Sequence, residues 1–334
     1  MTIYIELDVH KKGSVYCCQD ESGKVIRAGQ LSHSLDAVRE MLGGCEEAAR
    51  VALEATGSWQ HVAAMLESEG AEVILSHPRR TRAIASAKVK TDAIDARTLA
   101  DLLRGGLLPQ AYLAPPRIQE LRRLVRTRAS LVETRTRFKN QVHGVLTQAG
   151  FIPPVTDVFG RAGRAWLEGQ ALSPGDGVVV DTLLGEIDHT SETVKRLEKE
   201  LLRQFGSSRE YQALNTIPGF GPVTSATFLA EVGDVWRFKR ARHLLSYLGI
   251  VPRVHSSGGK TRFGRLTKEG PPLARNVLVQ AAYPAIRRSP ELRELYEKTK
   301  ERHGSQVARI AVARKLAIQA FHILRAVSSP HVSG

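Results

Sequence analysis

Apolar and polar residues alternate from Ile3 through Ile5 and Leu7 until the chain reaches Asp8. That period of two predicts a half-buried strand. The runs SVYCCQD and KVIRAGQL follow after a Lys-Gly turn and an ESG turn, so three strands in an antiparallel meander are expected. The pattern then becomes helical over SLDAVREMLGG, with Ser34 as N-cap and Gly43 near the end. RVALEAT reads as a buried strand ending at Glu54, WQHVAAMLESEG as a helix, and AEVILSH as another strand. A helical region holding TDAIDARTLADLLRGG closes the unit. The order β-β-β-α-β-α-β-α fits a mixed sheet covered by helices, an α/β domain over residues 1–112.

Pro115 and Pro116 mark a boundary. From Arg117 to Leu146 the chain carries Arg117, Arg122, Arg123, Arg126, Arg128, Arg135, Arg137 and Lys139 against Glu120 and Glu133, with nothing before Gly144 to interrupt a helix. A solvated helix face usually mixes both signs, so this excess points to nucleic acid. GFIPPVTDVFGRAG is loop-like. Between Asp181 and Phe205, Leu183, Ile187, Thr190, Val194, Leu197 and Leu201 recur at spacings of four and three, a coiled-coil seam weakened by one threonine. Packing on the Arg-rich helix of the same chain and pairing between protomers both fit this seam. From Tyr211 the chain reads as mostly helical, with a loop at Val254 to Gly270 and a strong last helix over VARIAVARKLAIQAFHILRAV. The expected organisation has three parts: an α/β domain (1–112), a basic helical and coiled-coil region (113–208), and an all-α region (209–334).

Charge sharpens this picture. The chain has 334 residues, with 48 Lys and Arg against 34 Asp and Glu, a net charge of +14. Such a balance favours a polyanionic partner, nucleic acid ahead of a membrane surface. Three cysteines without a CxxC pair argue against a disulfide framework or a structural zinc site. No apolar run is long enough to span a bilayer and no signal segment is visible. A soluble, reduced, intracellular protein is expected.

Four carboxylates stand out. Asp8 is near the end of the first strand and Glu54 ends the fourth, while Asp92 and Asp95 are three apart and share a face if helical. Such groups repel unless a cation sits among them. Mg2+ is the natural occupant, because it takes oxygen ligands and bridges to phosphate. Three have plainer readings: Asp8 as a turn former, Asp92 as a first-turn acid, and Asp95 paired with a cation such as Arg97. Glu54, a carboxylate at the edge of an apolar strand, is the hardest to dismiss. Arg79, Arg80, Arg82, Lys88 and Lys90, with His77 if protonated, precede the two aspartates and could neutralise a phosphate backbone.

LDVHK, LEATGSW and KTDAIDARTLA resemble the DEDD motif of the insertion sequence one-ten / eleven-eleven family of transposases, also called bridge-RNA-guided recombinases. The resemblance continues through IPGFGPVTSATFLAEVGD, LLSYLGIVPR, HSSGGKTRFGRLTKEG, LARNVLVQAA and VARKLA. It implies a RuvC-like, ribonuclease-H-like domain followed by helical and transposase domains. It further implies that Asp8, Glu54, Asp92 and Asp95 bind Mg2+, and that a serine attacks DNA to form a phosphoserine intermediate. Donor and target DNA and an element-encoded guide RNA are the implied partners. Dimers assembling into a tetramer, in a bacterial or archaeal cytoplasm at the nucleoid, would be the implied setting.

Serine is a weak nucleophile and needs a base, a metal or local positive potential. His255, Lys260 and Arg262 are candidates to help, with Arg265 and Lys268 nearby. Gly258 and Gly259 allow amide groups to face a phosphate. The family pattern, with its nucleophile directly before glycine, puts Ser257 first and Ser256 second; a phosphate-gripping loop without covalent chemistry is the plainer reading. TIPGFGPVTSA, with Gly219 and Gly221, resembles the phosphate-gripping hairpin of a helix-hairpin-helix element, and a packing corner fits it nearly as well. A nuclease using water, or a binding protein without catalysis, are the alternatives to recombination.

Overall fold

The structure is a computed structural model that describes residues 2–43, 49–55, 58–84, 92–257 and 260–329. Side chains at 79, 82, 83, 92–96, 255–257, 260, 261 and 263 lie outside the description. The chain divides into two compact units, Met1–Leu113 and Ala114–Gly334.

In the first unit, β1 (Tyr4–Val9), β2 (Ser14–Gln19) and β3 (Val25–Leu31) form the antiparallel meander, followed by α1 (Leu35–Leu42), β4 (Arg50–Glu54), α2 (Trp59–Ser68), β5 (Glu72–Ser76), α3 (Pro78–Ile84) and α4 (Asp92–Arg104). The sheet order is β3-β2-β1-β4-β5, with β1–β4 and β4–β5 parallel. Ser34 caps α1 as expected, accepting from the Ala37 amide. Ile5, Leu7 and Val9 of β1 join Val51, Leu53 and Leu75 under residues of α1 and α2, including Val38, Met41, Val62 and Leu66. The opposite face is covered too: Ala52 and Ile74 pack with Leu103 and Leu108, flanked by Tyr4, Leu99 and Leu102. β1 is therefore buried on both faces rather than half-buried, and Glu6 is 1% exposed. Its alternating pattern records a polar lining under α4, not a solvent face.

In the second unit, α5 (Pro116–Gln148) and α7 (Pro174–Phe205) are 33 and 32 residues long, with α6 (Arg161–Glu168) between them. Both long helices open on proline at the first helical position, where its missing N–H is harmless and its fixed φ suits the helix. α5 runs through Gly144, and α7 begins seven residues before the expected Asp181. Ile187, Thr190, Val194 and Leu201 of the seam are buried. Leu201 and Phe205 pack with Leu121 and Val125 of α5, and Ile187 packs with Val142 and Leu146. Arg128 donates to Glu198 at 2.8 and 2.9 Å and Arg135 to Ser191 at 3.2 Å. The seam is thus an intrachain antiparallel pairing.

The chain continues through α8 (Arg209–Leu214), α9 (Pro222–Val232), a 3-10 turn at Val235–Arg237, α10 (Ala241–Tyr247), β6 (Pro252–Ser257), β7 (Lys260–Leu266), α11 (Pro272–Arg288) and α12 (Pro290–Val327). Their shared core includes Leu214, Phe228, Leu244, Leu248, Leu278, Leu316 and Phe321. Tyr211, Ala226 and Ala230 extend the α5–α7 core into this region. α12 bends at Gly304, whose φ of 82° is closed to most side chains.

Two electrostatic and steric locks hold this unit. Glu231, 1% exposed, receives both arms of Arg126 at 2.8 Å, while Arg122 donates to the carbonyls of Ala230 and Glu231 at 2.7 and 3.2 Å. The Tyr247 hydroxyl donates to the Glu231 carbonyl at 2.9 Å. At the root of the β6–β7 hairpin, Gly249 (φ 65°) lies against the Glu269 carbonyl and Gly270 (φ 79°) against the Tyr247 carbonyl, too close for any Cβ. Arg275 ties the two arms by donating to the Leu248 and Glu269 carbonyls, each at 3.1 Å.

Four substitutions test these features by urea unfolding. Gly270→Ala meets both strain and backbone overlap, so it should destabilise by about 2–4 kcal/mol, whereas Gly144→Ala, helical with open space around it, should stabilise by roughly 0.5–1 kcal/mol. Arg126→Ala leaves a buried carboxylate without its main partner and should cost about 3–5 kcal/mol. Glu231→Gln should cost less, because the Arg126 side chain is 57% exposed and can hydrate.

Candidate active site

The register that pairs Leu7 with Leu53 puts the next residues, Asp8 and Glu54, side by side at the carboxyl ends of β1 and β4. Glu54 is opposite Ser76, the last residue of β5. Neighbouring residues of a sheet in register share a face, so the three form a row, and this is the face that α4 covers. Asp8 keeps 25% of its side chain exposed and lies 3.4 Å from Nε2 of His10. Ser76 is 1% exposed, and its hydroxyl has no hydrogen-bond partner among the described residues.

Behind this row the face is polar and dry. Glu6, Cys17 and Gln19 are 1%, 5% and 0% exposed. Gln19 donates to the Arg97 carbonyl at 3.5 Å, and Arg104 at the helix end donates to the Glu21 carbonyl at 3.4 Å. These contacts tie the middle and the carboxyl end of α4 to the end of β2 and the turn that follows it. The first turn, bearing Asp92 and Asp95, is at the other end of the helix. Burial pushes the Cys17 thiol up, and the Glu6 charge adds to this, so Cys17 stays protonated and inert. Glu6 and Ser76 escaped the sequence reading because alternation alone does not reveal that both sheet faces are covered.

The side chains of Asp92 and Asp95 lie outside the described residues. Among the described residues no three His, Cys, Asp or Glu side chains gather into a metal-binding group. Asp8 and Glu54 nevertheless fit a hard cation: they offer only oxygen, stand adjacent, and have the unpartnered Ser76 hydroxyl in the same row.

The serine stretch is not a loop but a β-hairpin. Ser257 pairs with Lys260, Ser256 with Thr261, and His255 with Arg262; alternation was hidden there by glycine and lysine. Gly258 and Gly259, with their expected amide cradle, lie outside the described residues, as do the side chains of Ser256, Ser257, His255 and Lys260. Arg262 and Arg265 are exposed. Lys268, also exposed, sits at φ 54° where the hairpin returns.

The other expected nucleic-acid contacts divide sharply. Arg80 and Arg123 are exposed, and the Arg79 side chain lies outside the described residues. Lys139 sits 4.6 Å over the Phe159 ring. Arg122 and Arg126 are both engaged by α9, Arg122 half-buried on its helix carbonyls and Arg126 on Glu231 with 57% of its side chain still in solvent. Gly219 (φ 87°) lies against the Ala281 carbonyl of α11, which gives it a packing role. Gly221 caps α9, whose first residue, Pro222, lacks the N–H that a phosphate would use there.

Residues 5–151 match the DEDD transposase family model of IS110, and residues 211–297 match the model of the transposase IS116/IS110/IS902 family. The chain is 26% identical over 326 residues to the transposase for insertion sequence element IS1111A of Coxiella burnetii, covering 93% of this chain and 86% of that one. It is 27% identical over 320 residues to the transposase for insertion sequence element IS1328 of Yersinia enterocolitica, covering 94% of each. A pilin gene-inverting protein of Moraxella lacunata is 31% identical over 151 residues, 42% of this chain and 45% of that one. No helix among the described residues is long and apolar enough to cross a membrane. Two models of one family in chain order, together spanning more than half of the sequence, and full-length relatives named for the same activity make this chain a member of the IS110/IS116 family of transposases.

Proposed function

We propose that this transposase is a Mg2+-dependent, RNA-guided DNA recombinase that exchanges strands through a serine–phosphate intermediate. The observation that carries the reading is the pair Asp8 and Glu54, adjacent at the ends of two parallel strands, with the helix that bears Asp92 and Asp95 on the same face. The strand order β3-β2-β1-β4-β5, with β2 antiparallel, supports a RuvC-like, ribonuclease-H-like domain over residues 1–112. Residues 113–208 form its basic helical partner, and 209–334 the transposase domain.

Asp8, Glu54, Asp92 and Asp95 would hold the ion, which when bound would supply positive charge to the phosphate oxygens. Ser257, or Ser256 in second place, attacks the phosphorus with its hydroxyl oxygen. A Ser–O–P bond forms, the P–O3′ bond breaks, and the 3′ oxygen leaves as a hydroxyl on taking up the proton that the serine gives up. That proton passes through a neighbouring base, for which His255, beside the serines on β6, is the candidate. Lys260, Arg262 and Arg265 oppose the charge gathering on the phosphate. A 3′-hydroxyl from the partner strand then attacks the phosphoserine and restores the serine, so bond energy is conserved and no ATP is needed. The Moraxella lacunata relative, named for inverting a gene, supports rejoining of strands over simple hydrolysis. The net charge of +14 supports the bulky polyanionic partners, donor and target DNA and a guide RNA. Exchange between two duplexes calls for a homo-oligomer, dimers joining into a tetramer, acting at the nucleoid in the cytoplasm.

The test is to purify the chain with its RNA, sequence that RNA, and incubate the complex with the DNA it matches and Mg2+. A denaturation-resistant protein–DNA adduct is expected, lost in Ser257→Ala and in Asp8→Ala and retained in Ser256→Ala. An adduct lost only in Ser256→Ala would move the nucleophile by one residue. Cleavage without any adduct would replace the proposal with water-driven hydrolysis, and the absence of a defined RNA would remove guidance. Mixing Asp8→Ala with Ser257→Ala protein should restore cleavage if the carboxylates and the serine work from different protomers.

A further inference from the structure

The helical pair α11 and α12 carries a surface that none of the expected contacts includes. No Asp or Glu occurs from Pro272 to Arg288 or from Gly304 to Val327. Of the four acids at the start of α12, three are met by lysines, Glu291 by Lys315, Glu294 by Lys298 and Glu297 by Lys300; the fourth, Glu301, is exposed and precedes the bend at Gly304. Arg287 and Arg309 have no ion pair among the described residues. Along α11, Asn276, Gln280, Tyr283 and Arg287 are all exposed. Their spacing of four, three and four puts them on one face of the helix. Tyr283 keeps 50% of its surface in solvent, and the Arg309 guanidinium lies 5.2 Å from its ring centre. Gln306, exposed and one turn before Arg309, extends the stripe onto α12. Pro284 has no N–H, so the carbonyl of Gln280 lacks its helical donor.

An exposed aromatic ring with a guanidinium beside it, flanked by amides and cations and free of acids, suits one chemistry: stacking an unpaired base while the arginines meet its phosphates. Asn and Gln side chains can bond to base edges without repelling the backbone. We propose that this face binds single-stranded nucleic acid, with an unpaired base stacked at Tyr283 and Arg309. A duplex offers no such base, so the site distinguishes strand from duplex. Guide RNA and a displaced DNA strand share this chemistry. The inference does not depend on the serine or the carboxylates.

Binding of the full chain to three fluorescent probes tests it: a 15-nucleotide oligouridylate, the matching oligothymidylate, and a 15-base-pair duplex. Tyr283→Ala should weaken at least one single strand by roughly 5- to 100-fold, while Tyr283→Phe stays within about twofold of the parent and duplex binding is unchanged in both. Whichever single strand responds identifies the source. Arg309→Ala should weaken the same probe and lower its salt dependence by about one phosphate contact. A 5-iodouridine or 5-iododeoxyuridine probe should crosslink to the peptide that contains Tyr283. The proposal is overturned if Tyr283→Ala binds both single strands as the parent does. It is also overturned if single strands and duplex weaken alike, if the crosslink maps outside α11 and α12, or if Tyr283→Ala changes the oligomeric state instead.

Discussion

The parallel pairing of β1 with β4 is the constraint on which the catalytic reading rests. Hydrogen bonding in that ladder fixes Leu7 opposite Leu53, and the following carboxylates have no choice but to stand together. A slip of one residue would turn Asp8 or Glu54 towards the apolar layer beneath α1 and α2. The large side chains on that layer, Ile5, Leu7, Leu53 and Leu66, are all buried, so the hydrophobic packing of one face enforces the alignment of acids on the other. Repulsion between the acids is tolerated because the sheet, not the acids, sets the distance.

The second unit uses its arginines in two ways. Arg122, Arg126, Arg128 and Arg135 reach from α5 to bind helix carbonyls, Glu231, Glu198 and Ser191. They trade the general attraction of a basic helix for a specific join between the long helices and the core around α9. Arg237, stacked 4.1 Å from the rings of both Phe238 and Tyr247, continues the same pattern. Positive charge available to a partner is correspondingly found elsewhere, on Arg123, on the hairpin and on α11 and α12.

Much of this was legible in the sequence, for identifiable reasons. The meander, α1 with its Ser34 cap, and the strand ending at Glu54 followed from short-range periodicity and turn residues, which act locally. The seam from Leu183 to Leu201 was legible as a seam but not as an intrachain one, because spacing does not name the partner helix. The burial of Glu6 under α4 and the engagement of Arg122 and Arg126 by α9 depend on distant elements, more than 100 residues along the chain for the two arginines. The β-hairpin at Pro252 to Leu266 was read as a loop, since Ser-Ser-Gly-Gly carries turn chemistry while its strands lack apolar alternation. The grouping of the four carboxylates followed from their positions at strand ends and on one helix face, with the resemblance in support; the structure adds the alignment of Asp8 and Glu54.

The β6–β7 hairpin has no third strand beside it among the described residues. An isolated two-stranded ribbon is marginal in water. Its geometry is instead set where it joins the core, by Gly249, Gly270 and the Arg275 bridge. The arms are therefore free of any duty to the core. Their residues can diverge while the foundation remains unchanged, a division of labour that lets the exposed arms change without the core relearning how to fold.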